Sequence, residues 1–236
     1  MTLKTGAKRF YKDVDVRQEP SGFATLLDGR AIKTPAGAMM LAPTRALGDA
    51  VAAEWRGQGE ALKPESMALT KALNTGLDRI SANRPAIVAD LAKFANSDLL
   101  CYRAGAPAEL VRRQVQAWDR WLAWSAERYR ARLAVTTGVT HIAQTDDALA
   151  AIRRAMEEQD EHRLVVLHAG VTITGSAVLG LAFVTGEISA QDVLAAAEID
   201  AAYQAELWGL DAEAEKAHAN RLADLVGMEA YLKLLG

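Results

Sequence analysis

Leu26-Leu27-Asp28-Gly29-Arg30-Ala31-Ile32 decides the fold class. An Asp-Gly pair between two apolar runs is the strongest short-range signal for a β-hairpin, because a two-residue loop there needs positive φ at both central positions. Upstream, Phe10-Tyr11-Lys12-Asp13-Val14-Asp15-Val16 alternates from Lys12 onward, as a half-buried strand does. Phe23, Thr25 and Leu27 fall on one face of the strand that enters the turn. Downstream, Pro35-Ala36-Gly37 makes a second turn before Met39-Met40-Leu41. The opening of the chain therefore reads as an antiparallel meander, small enough to need cover on one face.

After Pro43 the apolar period lengthens. Thr44 can cap a helix carrying Leu47, Val51 and Trp55, with Gly57 and Gly59 at its end. Leu69, Leu73, Leu77 and Ile80 repeat the spacing, and Pro85 can start a helix with Ile87, Leu91 and Phe94 on one face. The longest candidate runs from Pro107 to Leu133, on a stripe of Leu110, Gln114, Trp118, Leu122, Ser125, Tyr129 and Leu133. Another begins near Thr145-Asp146 and carries Leu149, Ile152 and Met156. Val171–Thr185 fits a strand or a buried helix by period alone; Gly175-Ser176 before an Ala-rich run favours a helix start. Ser189 and Asp192 resemble a capping box for one helix presenting Val193, Ala197, Asp200, Gln204 and Trp208 in register, stopped by Gly209. Two short helices, Ala212–Val226 and Met228–Leu235, close the chain. The fold class is α+β: a small antiparallel β-rich N-terminal domain, residues 1–43, followed by a larger all-α C-terminal domain, residues 44–236.

Composition excludes several classes. Half of the 236 residues are apolar and 24% are charged, which is globular and far from disordered composition. Cys101 is alone, so no intrachain disulfide forms, and a small buried hydrophobe is its simplest role. The basic start, Lys4, Lys8, Arg9 and Lys12, is followed by no apolar run, so no secretory signal is expected. The Val171–Thr185 run is short for a membrane span and holds Gly175, Ser176 and Gly180, so membrane insertion is not expected. The expected location is the bacterial cytoplasm.

The net charge of −3 hides an asymmetry. Val111–Leu133 carries six arginines against Asp119 and Glu127, a local +4, whereas Glu187–Gly236 carries ten acids against three bases, a local −7. An acidic C-terminal region argues against nucleic acid as main partner and can steer a basic protein surface, although solvated helix faces are the simpler reading of the charges alone.

Chemistry-bearing motifs are missing. There is no phosphate-binding loop, no dinucleotide fingerprint, no nucleophile elbow around Ser176, and no zinc spacing among Cys101 and His141, His162, His168 and His218. No catalytic residue, cofactor or metal is expected. Trp118, Trp121 and Trp124 lie within seven residues, alongside Trp55 and Trp208. Tryptophan suits both helix packing and binding hot spots, and the sequence leaves both open.

The ordered motifs resemble the assembly chaperones of the F-type ATP synthase alpha subunit. The resemblance begins with Lys8-Arg9-Phe10-Tyr11-Lys12, Leu27-Asp28-Gly29-Arg30 and Lys33-Thr34-Pro35. It continues through Glu54-Trp55, Gln58, Met67, Leu69 and Thr70 to Asp98-Leu99-Leu100-Cys101-Tyr102-Arg103-Ala104. Trp118-Asp119 with Trp124, then Thr174-Gly175-Ser176, and last Gln204-Ala205-Glu206-Leu207-Trp208-Gly209 complete it along essentially the whole chain. Two positions depart from the family pattern: Ala68 stands for a usual Pro, and Ala201 for a usual second acid after Asp200.

The resemblance implies a non-catalytic chaperone that binds unassembled alpha subunit and hands it on for pairing with beta, with an N-terminal β domain and a helical C-terminal domain. The helix with Asp200, Gln204, Glu206 and Trp208 is the expected client contact of such a chaperone; alternatively Trp208 anchors its helix to the core while Glu206 is solvated. An enzyme site assembled from Asp98, Arg103 and His141, or a general helical adaptor, are the competing expectations.

Overall fold

The computed structural model describes residues 6–209 and 211–236, and Leu210 and the first five residues lie outside the described set. The chain folds as two compact units, one of residues up to Arg84 with Gly227–Gly236 and one of Pro85–Val226. Secondary structure changes from strands to helices at another place, between Ala42 and Arg45. The strand-bearing unit takes in helices as well, because a sheet this small must bury a face against something.

In the first unit, β1 (Val14–Glu19), β2 (Gly22–Leu27), β3 (Arg30–Ala31) and β4 (Leu41–Ala42) form one antiparallel sheet. Both β1 and β3 pair with β2, and β4 pairs with the start of β2 on the side β3 occupies further along. The Asp28-Gly29 turn is as expected: φ is 49° at Asp28 and 78° at Gly29. Asp28 also accepts hydrogen bonds from the Lys12 and Asp13 amides, which fixes the approach to β1. Ala24, Thr25, Leu26 and Leu27 are all buried, so β2 is covered on both faces and the expected alternation is absent. A strand buried on both faces reads as a continuous apolar run and loses the alternation of a half-wet one.

The helix α1 (Arg45–Arg56) starts on Thr44, whose hydroxyl accepts from the Leu47 amide, and it buries Leu47, Val51 and Trp55. Next come α2 (Ala68–Thr75), a π-helical turn Gly76–Ile80, and α3 (Ser81–Ala92), which kinks at Asn83 before Pro85. Because α2 lacks a capping side chain of its own, Glu54 supplies one. Its carboxylate accepts from the Leu69 amide at 2.7 Å, the Thr70 amide at 2.8 Å and the Thr70 hydroxyl at 2.7 Å. Burial pushes the Glu54 carboxyl up, and those three donors hold it down.

In the second unit, α4 (Ala108–Tyr129) buries Leu110, Gln114, Trp118, Trp121 and Ser125. The expected stripe is thus rotated slightly, with Trp121 taking the inward place instead of Leu122. Trp118 is fully buried and donates from Nε1 to the Ala196 carbonyl at 2.7 Å. Two short strands, β5 (Tyr102–Arg103) and β6 (Thr136–Thr137), pair in parallel. Then follow α5 (Asp146–Glu157), capped by Thr145, and the hairpin of α6 (Glu161–Thr174) with α7 (Ala177–Val184). Val171–Thr185 is therefore helix, turn and helix, with Ser176 capping α7 through the Leu179 amide.

The α6–α7 pair crosses at Gly170 and Gly180. A Cβ on Gly180 would stand 2.3 Å from Val171 Cγ2 and 3.0 Å from its backbone nitrogen. The helices pack on backbone here, and no side chain fits between them.

The single helix expected from Ala190 to Trp208 is two, α8 (Ala190–Ala197) and α9 (Ile199–Trp208). They part at Glu198, at φ −104° and ψ 19°. Its carboxylate is taken by His218 Nδ1 at 2.5 Å and Arg221 Nε at 2.6 Å, both on α10 (Ala212–Leu235). Conversely, the two short helices expected at the end are one. Leu225 and Tyr231, either side of Gly227, are fully buried, and that burial outweighs the cost of about 1 kcal/mol for a glycine inside a helix.

Gly180→Ala is expected to destabilise the protein by about 1–3 kcal/mol through overpacking. Thermal unfolding followed by circular dichroism should show a lower Tm with helix content at low temperature unchanged. An equal Tm would contradict the close crossing.

Candidate functional site

Helix α9 differs from every other helix of comparable length in the second unit: it contributes no buried residue. An ordinary surface helix is kept in place by an apolar stripe. Here polar contacts to α4 serve instead. Gln114, itself buried, uses both ends of its amide, accepting from the Ala104 amide at 2.8 Å and donating from Nε2 to Asp200 Oδ1 at 2.6 Å. One turn further along, Arg113 donates to Glu206 Oε1 at 2.6 Å and to Glu109 Oε1 at 2.9 Å, and its guanidinium lies 5.4 Å from the centre of the Tyr203 ring. Arg112 also pairs with Glu109.

These contacts set the local electrostatics. The hydrogen bond from Arg113 holds the Glu206 carboxyl below the usual range, and those from Arg113 and Arg112 do the same for Glu109. The two carboxylates in turn raise the affinity of Arg113 for its proton. All of these groups reach solvent, so the network orients α9 more than it stabilises the fold.

What α9 shows to water is apolar at its end. Trp208 is 77% exposed and Leu207 56%, with Val115 of α4 also exposed. Trp208 therefore does not anchor the helix, against that part of the alternative reading, whereas Glu206 is solvated and also ion-paired to Arg113. Gln204 is exposed. All four expected site residues sit on this helix: Asp200 and Glu206 are tied to α4, whereas Trp208 projects. The residues that sequence reasoning missed are Gln114 and Arg113, which lie 86 and 93 positions away from their partners.

The three residues of the competing enzyme reading do not share a task. Arg103 donates from Nε to the Leu100 carbonyl at 2.9 Å, pairs with Asp119 at 2.8 Å and stacks 5.0 Å from the Trp118 ring centre. His141 Nδ1 lies 3.2 Å from the Tyr102 hydroxyl. Asp98, at 0% exposure, takes the Ser176 hydroxyl at 2.7 Å, the Leu100 amide at 3.0 Å, the Val178 amide at 3.1 Å and the Ala177 amide as well. Among the described residues, no group of three His, Cys, Asp or Glu side chains could hold a metal ion, and no helix is long and apolar enough to cross a membrane.

Residues 8–126 match the family described as ATP12 chaperone protein. The chain belongs to the ATP12 chaperone family. Similarity extends over the whole length: Atp12 from Paracoccus denitrificans is 38% identical, with 98% of this chain and 99% of that one covered and a TM-score of 0.94. A point mutant of the same protein gives the same identity and TM-score. A protein from Agrobacterium tumefaciens is 39% identical over 97% of this chain and 86% of its own, with a TM-score of 0.91.

In this member of the family, the motif Asp98–Ala104 fastens neighbouring segments together. Asp98 closes the start of α7, Cys101 is buried, and Ala104 meets Gln114. Burial drives the Cys101 thiol up to about 12, with the Asp98 carboxylate adding to the effect. Burial also pushes the Asp98 carboxyl up to about 6 in spite of its donors.

A raised carboxyl pKa means that the folded state holds the proton more tightly than the unfolded chain. The stability contributed by Asp98 is thus fully present below about pH 4 and lost as pH rises through about 6. The loss is on the order of 3 kcal/mol. Asp98→Asn, whatever its constant offset, should lack this component. The difference in urea-unfolding free energy between wild type and variant is expected to shift between pH 4.5 and 7.5, and a constant difference would refute the assignment.

Proposed function

We propose that this chaperone binds the unassembled alpha subunit of the F-type ATP synthase catalytic head. It masks the face meant for beta, keeps alpha from aggregating and releases it for assembly of the alpha/beta hexamer. The binding surface is α9, with Asp200, Gln204, Glu206 and Trp208. The observation that carries this reading is the projecting Trp208 beside exposed Leu207, on a helix that is positioned by polar contacts and buries nothing. Family membership supports it, and so does the local acidity of the C-terminal region, which suits a basic client surface.

The chemistry requires no catalysis and no ATP. A free alpha subunit exposes apolar interface, which aggregates. A holding partner of modest affinity lowers the concentration of free alpha and then loses to beta, which buries more area. Tryptophan on an oriented helix suits such a contact: large apolar area, few rotamers to freeze, and an N–H to satisfy at the rim. The step belongs to the bacterial cytoplasm.

Co-expression with alpha alone tests the reading, since alpha should then stay soluble and co-purify. Trp208→Ala is expected to leave the Tm unchanged and cut recovery of alpha about tenfold. Glu206→Lys, which sets a cation against Arg113, should weaken capture with the fold retained. Alpha that precipitates equally with and without the chaperone would overturn the proposal.

A further inference from the structure

The strand-bearing unit holds a cavity of about 540 Å³ that the α9 surface does not use. Phe10, Tyr11, Met40 and Trp55 wall it, and Phe10 is 53% exposed at its mouth. Four successive residues, from Arg30 to Lys33, also line it. Side chains alternate between faces along a strand, so four in a row bring the cavity round to the outer edge of β3 and the residues after it, while Leu27 and Asp28 also line it.

That edge carries unused hydrogen-bonding groups. Leu27 pairs with Arg30 across the two-residue turn, and the Ile32 amide donates to the Thr25 carbonyl. In an antiparallel ladder bonded and non-bonded pairs alternate, so Ala31, opposite Leu26, turns its N–H and C=O away from β2. No hydrogen bond among the described residues takes them up. Arg30, exposed and without an ion-pair partner among the described residues, stands beside them.

We propose that the β3 edge is a second polypeptide-binding site, which takes an extended acidic–apolar segment of a protein partner as an added strand. It rests on the reading of the chain as a polypeptide-binding chaperone but not on α9 or on the identity of the client. The segment pairs with Ala31 through both backbone groups and sets an aromatic side chain against Phe10 and Ile32. An acidic neighbour in the segment meets Arg30. Backbone pairing gives affinity in this mode, and the pocket and the charge give selectivity.

The test uses the full chain, isotopically labelled, and the peptide acetyl-Thr-Glu-Phe-Glu-Val-Thr-amide, with a counterpart carrying Lys for both Glu. The acidic peptide should shift the Ala31 amide and the Trp55 indole resonances saturably, and the basic one should bind about tenfold more weakly. Ala31→Pro removes the outward N–H and leaves the β2 pairing intact, since edge positions tolerate proline. It should weaken binding about tenfold. If that variant does not fold, Arg30→Glu, at an exposed side chain, replaces it and should invert the preference between the peptides. Absence of a shift at Ala31, equal affinity of the variant, or no preference between the peptides would each overturn the proposal. No alpha subunit enters this experiment, so its failure leaves the α9 reading standing, and a failed capture of alpha leaves this one.

Discussion

A carboxylate at the centre of the helical unit is an expensive way to join segments, and Asp98 shows what makes it work. Its two oxygens meet three backbone amides and a hydroxyl, all belonging to chain ends that would otherwise be buried without partners. The amides of Ala177 and Val178 are first-turn donors of α7, which no preceding turn can satisfy. Ser176 acts in both directions, donating to Asp98 and accepting from Leu179. One side chain thereby fixes where α7 begins, which in turn permits the backbone-to-backbone crossing with α6 at Gly180. Glu54 repeats the device for α2 in the other unit. Several motifs that carry the resemblance noted in the sequence are this joinery: Glu54 with Leu69 and Thr70, and Asp98 with Ser176.

The contrast with α9 separates the framework from the proposed binding surface. In the framework, the Asp98 and Glu54 carboxylates each meet several donors away from bulk water. Along α9 the polar groups are exposed, charged and adjustable, and the large apolar side chain points outward. On the proposed reading, a surface that takes hold of a client and later gives it up benefits from being held in orientation without being part of the core. Gln114 is the exception that links the two, buried at one end of its environment and holding Asp200 at the other.

Local signals were the legible ones. The Asp28-Gly29 hairpin, the Thr44 cap and the turn at Gly175-Ser176 are written within a few residues, and the structure follows them. The break at Glu198 was not legible, because glutamate is a good helix former and its release from the helix depends on His218 and Arg221, some twenty positions on. Glycine at 227 misled in the other direction, since burial on either side overrode its propensity. The parallel pairing of Tyr102–Arg103 with Thr136–Thr137 leaves no short-range mark at all. At the candidate site, the four residues named from sequence fall together on α9, but the arginine and glutamine that orient it come from a helix far away along the chain.

The lone thiol has a practical side. Cys101 is fully buried, and that burial pushes its thiol up to about 12, which disfavours the thiolate at neutrality. Peroxides and maleimides attack the thiolate form, so the native side chain is chemically silent. Any cysteine introduced on the exterior will thus carry a dye or spin label alone, without first engineering the natural one away.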